Sequence, residues 1–164
     1  MVELIDLVDK TGKVIKAGAT RDDLAHNPDL HMQIVIVVLF RGEHVLVHAR
    51  SRKKKVNPGD IDHVCGGIVS GETPIEAAMR EAYEETGVKP TNLQVVAEGI
   101  NEYNRYRYLL VGEVEDEPSI QDSDEIEWTD YIHVKELYDK SRSGELTFVD
   151  GFFQDIEFAN RALA

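Results

Sequence analysis

Three glutamates near the middle of the chain have the spacing of a metal site. Glu81, Glu84 and Glu85 stand at positions i, i+3 and i+4, which places them on one face of a helix. Like charges at this spacing cost roughly a few tenths of a kcal/mol per pair, a cost that a cation among them would remove. Clustered oxygen ligands are what Mg²⁺ and Mn²⁺ prefer. The spacing therefore predicts a divalent-metal site, with a solvated acidic helix face as the alternative.

The residues around these glutamates predict a helix from Pro74 to Thr86. Thr73 suits the N-cap, Pro74 suits the first helical position, and Glu76 completes a Thr-x-x-Glu capping box. Gly87 suits the position after the last turn, where a left-handed backbone ends many helices. The apolar residues expected to pack inward from this helix are Ile75, Ala78, Met79 and Ala82.

The stretch from Cys65 to Val88 reads C-G-G-I-V-S-G-E-T-P-I-E-A-A-M-R-E-A-Y-E-E-T-G-V. It resembles the Nudix box, G-x5-E-x7-R-E-U-x-E-E-x-G-U, in which U is a bulky aliphatic residue. The positions in register are Gly66, Glu72, Arg80, Glu81, Glu84, Glu85, Gly87 and Val88. Ala82 at the first U position is a departure, because it is apolar but small. The resemblance implies hydrolysis of a nucleoside diphosphate linked to another group X, with Mg²⁺ or Mn²⁺ as cofactor.

The resemblance also implies roles for the charged residues of the box. Glu81, Glu84 and Glu85 are expected to hold the metal and, together with Arg80, to form the catalytic group. By analogy with the family, Arg80 orients a glutamate by bidentate pairing and does not touch the substrate. Glu72, which precedes the helix, is expected to anchor the geometry of the loop. A water held by the metal or by a carboxylate would then attack phosphorus.

The glycines of the box and the general base complete this expectation. Gly66 and Gly67 would let the backbone approach the substrate, because they carry no Cβ, and Gly87 has a structural role at the end of the helix. Nudix enzymes take the general base from the box or from a glutamate elsewhere, so its identity stays open. The candidates outside the box are Glu102, Glu113, Glu117 and Glu125.

A basic run precedes the box. Residues 50–55 read R-S-R-K-K-K, five positive charges in six residues, and a turn at Val56-Asn57-Pro58-Gly59 follows. Such a run is often only a solvated surface. Similar proteins place a basic loop with a Pro-Gly turn over the substrate phosphates, so Arg50, Lys54 and Lys55 are predicted to contact phosphate.

The rest of the chain reads as strands and helices around the box. Strands are expected at 3–8, 14–19, 31–40, 44–50, 60–65, 92–101, 103–114 and 126–132, and helices near 20–24, 133–142 and 148–163. Together with the box, this order resembles the Nudix α/β/α sandwich with a central mixed β-sheet. We expect one domain over residues 1–164, with 1–30 as an N-terminal extension and 31–164 as the Nudix core.

Two alternative functions remain at this point. The phrase K-K-x-x-P-G…V-C-G and the leading segment resemble isopentenyl diphosphate isomerases and their Nudix relatives, and Cys65 falls where that family keeps its catalytic cysteine. Gly67, however, stands where the isomerase has a metal-binding histidine, and the isomerase lacks the intact R-E-x-x-E-E seen here. The other alternative is a non-catalytic sensor of a nucleotide ligand, which a degenerate box would indicate, and this box is not degenerate.

The amino-acid composition limits the classes of partner that the protein is expected to bind. The net charge of −13 argues against a general nucleic-acid binder, because neutralising phosphates requires Lys and Arg. The single cysteine allows no internal disulfide, and no apolar run approaches the roughly 20 residues of a membrane span. We therefore expect a cytoplasmic enzyme whose substrate is a small-molecule diphosphate. We expect this enzyme to bind neither nucleic acid nor membranes. Since similar proteins are often dimers, the resemblance predicts a homodimer.

Overall fold

The computed structural model describes residues 2–164 and contains two β-sheets and four helices. The strands are β1 (Ile5–Val8), β2 (Val14–Ala19), β3 (Gln33–Arg41), β4 (His44–Arg50), β5 (Ile61–Asp62), β6 (Val64–Gly67), β7 (Thr91–Ile100), β8 (Tyr106–Glu113) and β9 (Ile126–His133). The helices are α1 (Arg21–Ala25), α2 (Pro74–Thr86), α3 (Val134–Ser143) and α4 (Phe152–Leu163). None of these helices is long and apolar enough to cross a membrane.

The larger sheet is mixed, as predicted. Its strands run in the order β5-β4-β3-β8-β7, and in addition β6 pairs with β3 and β9 pairs with β4. Strands β3 and β8 are parallel, whereas their other pairings are antiparallel. Helix α2 covers one face of this sheet and α4 covers the other. This arrangement confirms the expected α/β/α sandwich.

Strand β3 supplies side chains to both layers of the core. Val35, Val37 and Leu39 pack with the alanines of α2, whereas Val38 and Phe40 pack on the opposite face with α3 and α4. This alternation follows from the two-residue period of a strand. A strand buried on both faces needs apolar residues at consecutive positions, which explains its nearly continuous apolar sequence.

The N-terminal hairpin of β1 and β2 forms a separate small sheet beside β3. Ile5 and Leu7 are fully buried in a cluster with Ala19 and Met32. The backbones of Val8 and His31 exchange two hydrogen bonds, of 2.9 Å and 2.8 Å. The hairpin is thereby fixed to the start of β3.

Three sequence predictions of local structure were wrong. Strand β8 begins at Tyr106 and not at Tyr103, because Asn104 takes a left-handed backbone with φ of 62° and closes a turn. Helix α4 begins at Phe152, after Gly151 with φ of 83°, and not at Phe148. On α2, Ala78 and Ala82 are buried as predicted, but Ile75 and Met79 are 44% and 37% exposed.

Candidate active site

Helix α2 begins and ends at the residues that the sequence predicts. The side chain of Thr73 accepts a hydrogen bond from the backbone N–H of Glu76, and Glu76 accepts one from the backbone N–H of Thr73. Gly87 closes the helix in the left-handed region, with φ of 72°. The buried side of the helix, formed by alanines, lets it lie close to β6 and β3. Its glutamates therefore face the glycine-containing end of β6.

Arg80 is the centre of the polar contacts around the box. Its Nε and Nη2 atoms donate to the two carboxylate oxygens of Glu72, at 2.8 Å and 2.9 Å. Its Nη1 atom donates to Glu81 Oε1 at 2.8 Å and to Glu84 Oε2 at 3.2 Å, and Nη2 also donates to the carbonyl of Gly67 at 2.9 Å. An arginine has five N–H donors, and these five contacts engage all of them. Arg80 therefore orients its neighbours.

These contacts affect the acidity of the glutamates around Arg80. Burial alone would raise the pKa of Glu72, but the hydrogen bonds from Arg80 and from the backbone of Val69 outweigh it, so the pKa is lowered. For Glu81, burial is the largest effect and outweighs Arg80, so the pKa is raised. The pKa values of the two carboxylates differ because Glu72 accepts two hydrogen bonds from the guanidinium and Glu81 accepts one, and because the charges of Glu84 and Glu3 raise the pKa of Glu81 further.

Gly66 makes room for the carboxylate of Glu81. A Cβ atom on Gly66 would lie 2.2 Å from both Cδ and Oε1 of Glu81. No side chain larger than hydrogen fits there unless the Glu81 carboxylate moves. The first glycine of the box is therefore required by the position of a glutamate, and the backbone of β6 forms one wall of the site.

Glu85 contacts both β6 and β4. Its Oε1 atom accepts a hydrogen bond from the backbone N–H of Cys65 at 3.3 Å, and its Oε2 atom lies 3.5 Å from Nδ1 of His48. Glu85 Oε2 and His48 Nδ1 are both buried, and neither has a hydrogen-bond partner among residues 2–164. Burial, followed by the charges of Glu81 and Asp62, raises the pKa of Glu85 well above its usual value. Burial also lowers the pKa of His48 to about 3, so this imidazole is neutral.

Cys65 belongs to a buried polar group beneath Glu85. Its thiol donates to Asp62 Oδ2 at 3.5 Å, and Arg50 Nη1 lies 3.3 Å from the same oxygen. Burial raises the pKa of Asp62, and burial together with the Asp62 and Glu85 charges raises the pKa of the Cys65 thiol. The thiol is therefore uncharged near neutral pH.

The three carboxylates fit a divalent cation by their chemistry. Glu81, Glu84 and Glu85 share one face of α2, and Glu85 offers a buried oxygen that lacks a partner among the described residues. As the side chains stand, no three His, Cys, Asp or Glu residues within 2–164 form a group that could hold a metal ion. In this arrangement Arg80 Nη1 bonds both Glu81 and Glu84. The assignment of this trio as metal ligands stays a prediction.

Residues of the basic run form ion pairs with the acidic segment before β9 and with Glu127 in β9. Lys53 lies 2.7 Å from Asp124, Lys54 pairs with Glu125, and Arg52 lies 3.5 Å from Glu127. Arg50 turns inward to Asp62 and to the carbonyl of Val56, whereas Lys55 is exposed. The run is therefore largely neutralised within the protein, and its predicted contact with phosphate would require exchange of partners.

The four candidate bases outside the box make other contacts. Glu113 accepts from Asn92 at 2.8 Å, Glu117 pairs with Arg41 at 3.1 Å, and Glu125 pairs with Lys54. Glu102 is exposed in the turn between β7 and β8. None of these four makes a hydrogen bond or ion pair with the box glutamates among the contacts of residues 2–164.

Sequence reasoning missed the buried partners of Glu85 and Cys65. These partners are His48 and Asp62, neither of which is among the site residues predicted above, and the other two histidines of β4 and the start of β3 lie elsewhere. His31 bonds the carbonyl of Asn104 at 2.9 Å, and His44 lies against His133 at the other end of β4. The available indication was His48 itself, a polar residue between the buried Val47 and Ala49 of β4.

Comparison with known proteins agrees with this geometry. The family model described as NUDIX domain matches residues 30–152, three quarters of the chain. An uncharacterised Nudix hydrolase from Yersinia pestis is 37% identical over 89 residues, which cover 54% of this chain and 48% of that protein. An isopentenyl-diphosphate Delta-isomerase from Streptomyces coelicolor is 29% identical over 174 residues, covering 98% of this chain and 85% of that one. The chain spans about half the length of most curated relatives that it matches.

Solved structures share the fold. DR0079 from Deinococcus radiodurans superimposes with a TM-score of 0.71 at 21% identity, covering 94% of this chain and 98% of that one. A NUDIX hydrolase from Nitrosomonas europaea gives a TM-score of 0.65 at 18% identity, covering 80% and 90%. The matched domain, the shared fold and a box whose charged residues converge on Arg80 lead to one conclusion. This chain belongs to the Nudix family.

Proposed function

We propose that the protein is a Mg²⁺- or Mn²⁺-dependent pyrophosphohydrolase of a nucleoside diphosphate linked to another group X, or of a related diphosphate. The observation that carries this proposal is the set of contacts centred on Arg80, which joins Glu72, Glu81 and Glu84 on one side of α2. Family membership and the intact box support the same reaction class. The identity of X is left open by the box, which concerns only the diphosphate.

In this proposal Glu81, Glu84 and Glu85 hold the divalent cation. When bound, the cation offsets the negative charge that develops on the diphosphate oxygens. Arg80 keeps Glu81 and Glu84 in place and is itself held by the bidentate contact with Glu72. Gly66 leaves the space in which the Glu81 carboxylate lies.

The reaction adds water across the P–O–P linkage. The water oxygen forms a bond to phosphorus, the bond from phosphorus to the bridging oxygen breaks, and a carboxylate accepts the proton that the water releases. One oxygen of Glu85 is buried without a partner among residues 2–164, and its raised pKa means that Glu85 must lose a proton before it can ligate a cation. Activity should therefore need a pH at which this carboxylate is ionised in the presence of the cation.

The proposal is tested by a substrate panel and by charge-removing variants. Nucleoside diphosphates and triphosphates, sugar nucleotides and dinucleotides are incubated with Mg²⁺ or Mn²⁺, and release of phosphate or pyrophosphate is measured. Glu84→Gln and Glu85→Gln should each lower turnover at least about 100-fold while the circular dichroism spectrum is unchanged. Glu76→Gln is the matched control, because it removes one charge from the same helix and glutamine can still complete the capping box. Undiminished turnover in the Glu84 and Glu85 variants would defeat the assignment.

A second candidate, isomerisation of isopentenyl diphosphate, is favoured by two observations. The Streptomyces isomerase resembles this chain over nearly its full length, and Cys65 lies beside Asp62 and Glu85. The high pKa of the thiol suits a proton donor better than a nucleophile. Cys65→Ala separates the two functions, because a hydrolase should retain at least half of its turnover and an isomerase should lose nearly all of it. Conversion of isopentenyl diphosphate by the wild-type protein, without phosphate release, would support the isomerase.

A further inference from the structure

We propose that Asp6 in the N-terminal hairpin is a positioning residue for the loop that carries Glu72. The hairpin lies outside the residues 30–152 that match the NUDIX domain, so nothing in the family match gives it a role in the site. This inference rests on one part of the proposed function, the binding of a cation by the box, since the loop is argued to act through the residues that hold the cation.

The contacts of Asp6 lead directly to the loop between β6 and α2. Its Oδ1 atom accepts a hydrogen bond from the Ser70 hydroxyl at 2.6 Å, and its Oδ2 atom accepts one from the backbone N–H of Gly71 at 3.1 Å. The backbone N–H of Ser70 also donates to the carbonyl of Leu4 at 2.8 Å. Three hydrogen bonds therefore join β1 and the segment before it to two adjacent residues of the loop.

The loop transmits this restraint to the centre of the site. Glu72 follows Gly71 directly, and its backbone N–H donates to the carbonyl of Val69 at 3.1 Å. The backbone N–H of Val69 in turn donates to Glu72 Oε1 at 3.2 Å. Glu72 then holds Arg80 through both carboxylate oxygens. A displacement of Ser70 and Gly71 would therefore move the partner that orients Arg80, and with it Glu81 and Glu84.

The carboxylate of Asp6 is itself fixed to the main sheet. Its neighbours in β1, Ile5 and Leu7, are fully buried, and the carbonyl of Asp6 lies 3.4 Å from Nε2 of Gln33 in β3. Asp6 Oδ1 also accepts from the backbone N–H of Gly18 at 2.9 Å, which ties it to β2. Because Asp6 is tied to β2 and β3, its two contacts with Ser70 and Gly71 can hold the loop in one geometry.

The same hairpin contains a matched control. Asp9 Oδ1 also accepts three hydrogen bonds, from the Thr11 backbone at 2.8 Å, from the Thr11 hydroxyl at 2.6 Å and from the Lys13 backbone at 3.2 Å. These contacts stay within the turn between β1 and β2. Asp9→Ala therefore removes three side-chain hydrogen bonds, as Asp6→Ala does, but none of them involves the loop between β6 and α2.

The test measures three quantities in both variants: Mn²⁺ affinity by electron paramagnetic resonance, amide hydrogen exchange over residues 66–73, and steady-state kinetics. Substituting a residue that orients metal ligands typically lowers metal affinity or activity by about 10- to 100-fold. Asp6→Ala should weaken Mn²⁺ binding about 10-fold or more, speed exchange in the loop, and lower kcat more than it raises KM. Asp9→Ala should leave Mn²⁺ affinity and loop exchange within about twofold of wild type. Equal Mn²⁺ affinity and loop exchange in the two variants would overturn the inference.

Two milder variants keep the test informative if Asp6→Ala does not fold. Asp6→Asn retains an oxygen for Ser70 but turns an amide N–H₂ toward the N–H of Gly71, and Ser70→Ala removes the shortest contact from the loop side. Both should weaken Mn²⁺ binding, because each variant disturbs one of the two contacts between Asp6 and the loop. Wild-type Mn²⁺ affinity in both variants would contradict the positioning role.

The readouts also separate this inference from the proposed function. In one outcome the wild-type protein hydrolyses no diphosphate, whereas Asp6→Ala lowers the Mn²⁺ affinity and the protection of the loop from exchange. That outcome would refute the hydrolase and retain the positioning role. A wild-type hydrolase whose Asp6→Ala variant binds Mn²⁺ normally and keeps loop protection would refute the positioning role alone.

Discussion

Gly66→Ala is expected to damage the site while leaving the fold almost intact. The new Cβ would lie 2.2 Å from Cδ and Oε1 of Glu81, whereas ordinary contact begins at 3.4 Å, so the carboxylate must retreat by 3.4 − 2.2 = 1.2 Å or more. The obstructing group is the end of a flexible side chain, and Gly66 is not among the glycines with positive φ. Alanine therefore adds no backbone strain, and the main structural change is the displacement of Glu81.

The expected magnitudes differ for stability and for activity. Moving Glu81 breaks its 2.8 Å contact with Arg80, and a hydrogen bond between charged groups contributes at most about 3 kcal/mol to stability. Misplacement of a catalytic group by about 1 Å can cost about 100-fold in rate. We therefore expect kcat/KM and Mn²⁺ affinity to fall about 100-fold, or about 2.7 kcal/mol at 1.36 kcal/mol per factor of ten.

The assay compares Gly66→Ala with Gly67→Ala. A Cβ on Gly67 would lie 3.5 Å from Arg21 Nη2 and 3.7 Å from Met32 Cε, which are ordinary contact distances. Gly67→Ala should therefore keep Mn²⁺ affinity within about twofold of wild type, as measured by electron paramagnetic resonance, and should unfold at nearly the same temperature. A Gly66→Ala protein that binds Mn²⁺ and turns over substrate like wild type would refute the placement of Glu81 in the site.

Two further predictions concern charge in the site. Arg80→Lys keeps the positive charge but loses the planar guanidinium, so the lysine cannot hold both oxygens of Glu72 together with Glu81 and Glu84. The kcat of this variant should therefore fall about 100-fold. Near-wild-type turnover would show that the charge alone suffices. Burial raises the pKa of Glu85 above its ordinary 4.5. The protonated form of Glu85 therefore stabilises the metal-free fold fully below about pH 4.5, and this stabilisation is lost as the pH rises through the pKa that Glu85 has in the folded protein. The unfolding temperature of metal-free protein should therefore fall over that range relative to Glu85→Gln, and Mn²⁺ affinity should rise; parallel profiles for the two proteins would contradict the assignment.

Local features of the sequence were sufficient to predict helix α2. The capping box at Thr73 and Glu76 and the left-handed Gly87 act over a few residues, so their pattern determines where the helix begins and ends. The same reasoning failed at Tyr103 to Arg105, where residues typical of strands form a turn because Asn104 takes a left-handed backbone. A single residue with positive φ outweighed the β-propensity of its neighbours.

Contacts between distant segments could not be predicted in this way. Asp6 and Ser70 are 64 positions apart, and Lys54 and Glu125 are 71 apart. These pairs meet only because β1 packs beside β3 and because β9 pairs with β4. The exposed Ile75 and Met79 have a related explanation, because the sheet accepts the alanine side of α2 and thereby decides which arc of the helix is buried.

The pairing of the basic run with the acidic segment before β9 has a kinetic consequence. Lys53 and Lys54 are matched by Asp124 and Glu125, so the molecule, with a net charge of −13, should repel an approaching diphosphate at long range. Long-range attraction normally accelerates encounter at low ionic strength. Here the Debye length, about 8 Å in physiological salt, instead limits how far mutual repulsion extends, so dilute salt should slow substrate capture and moderate salt should hasten it.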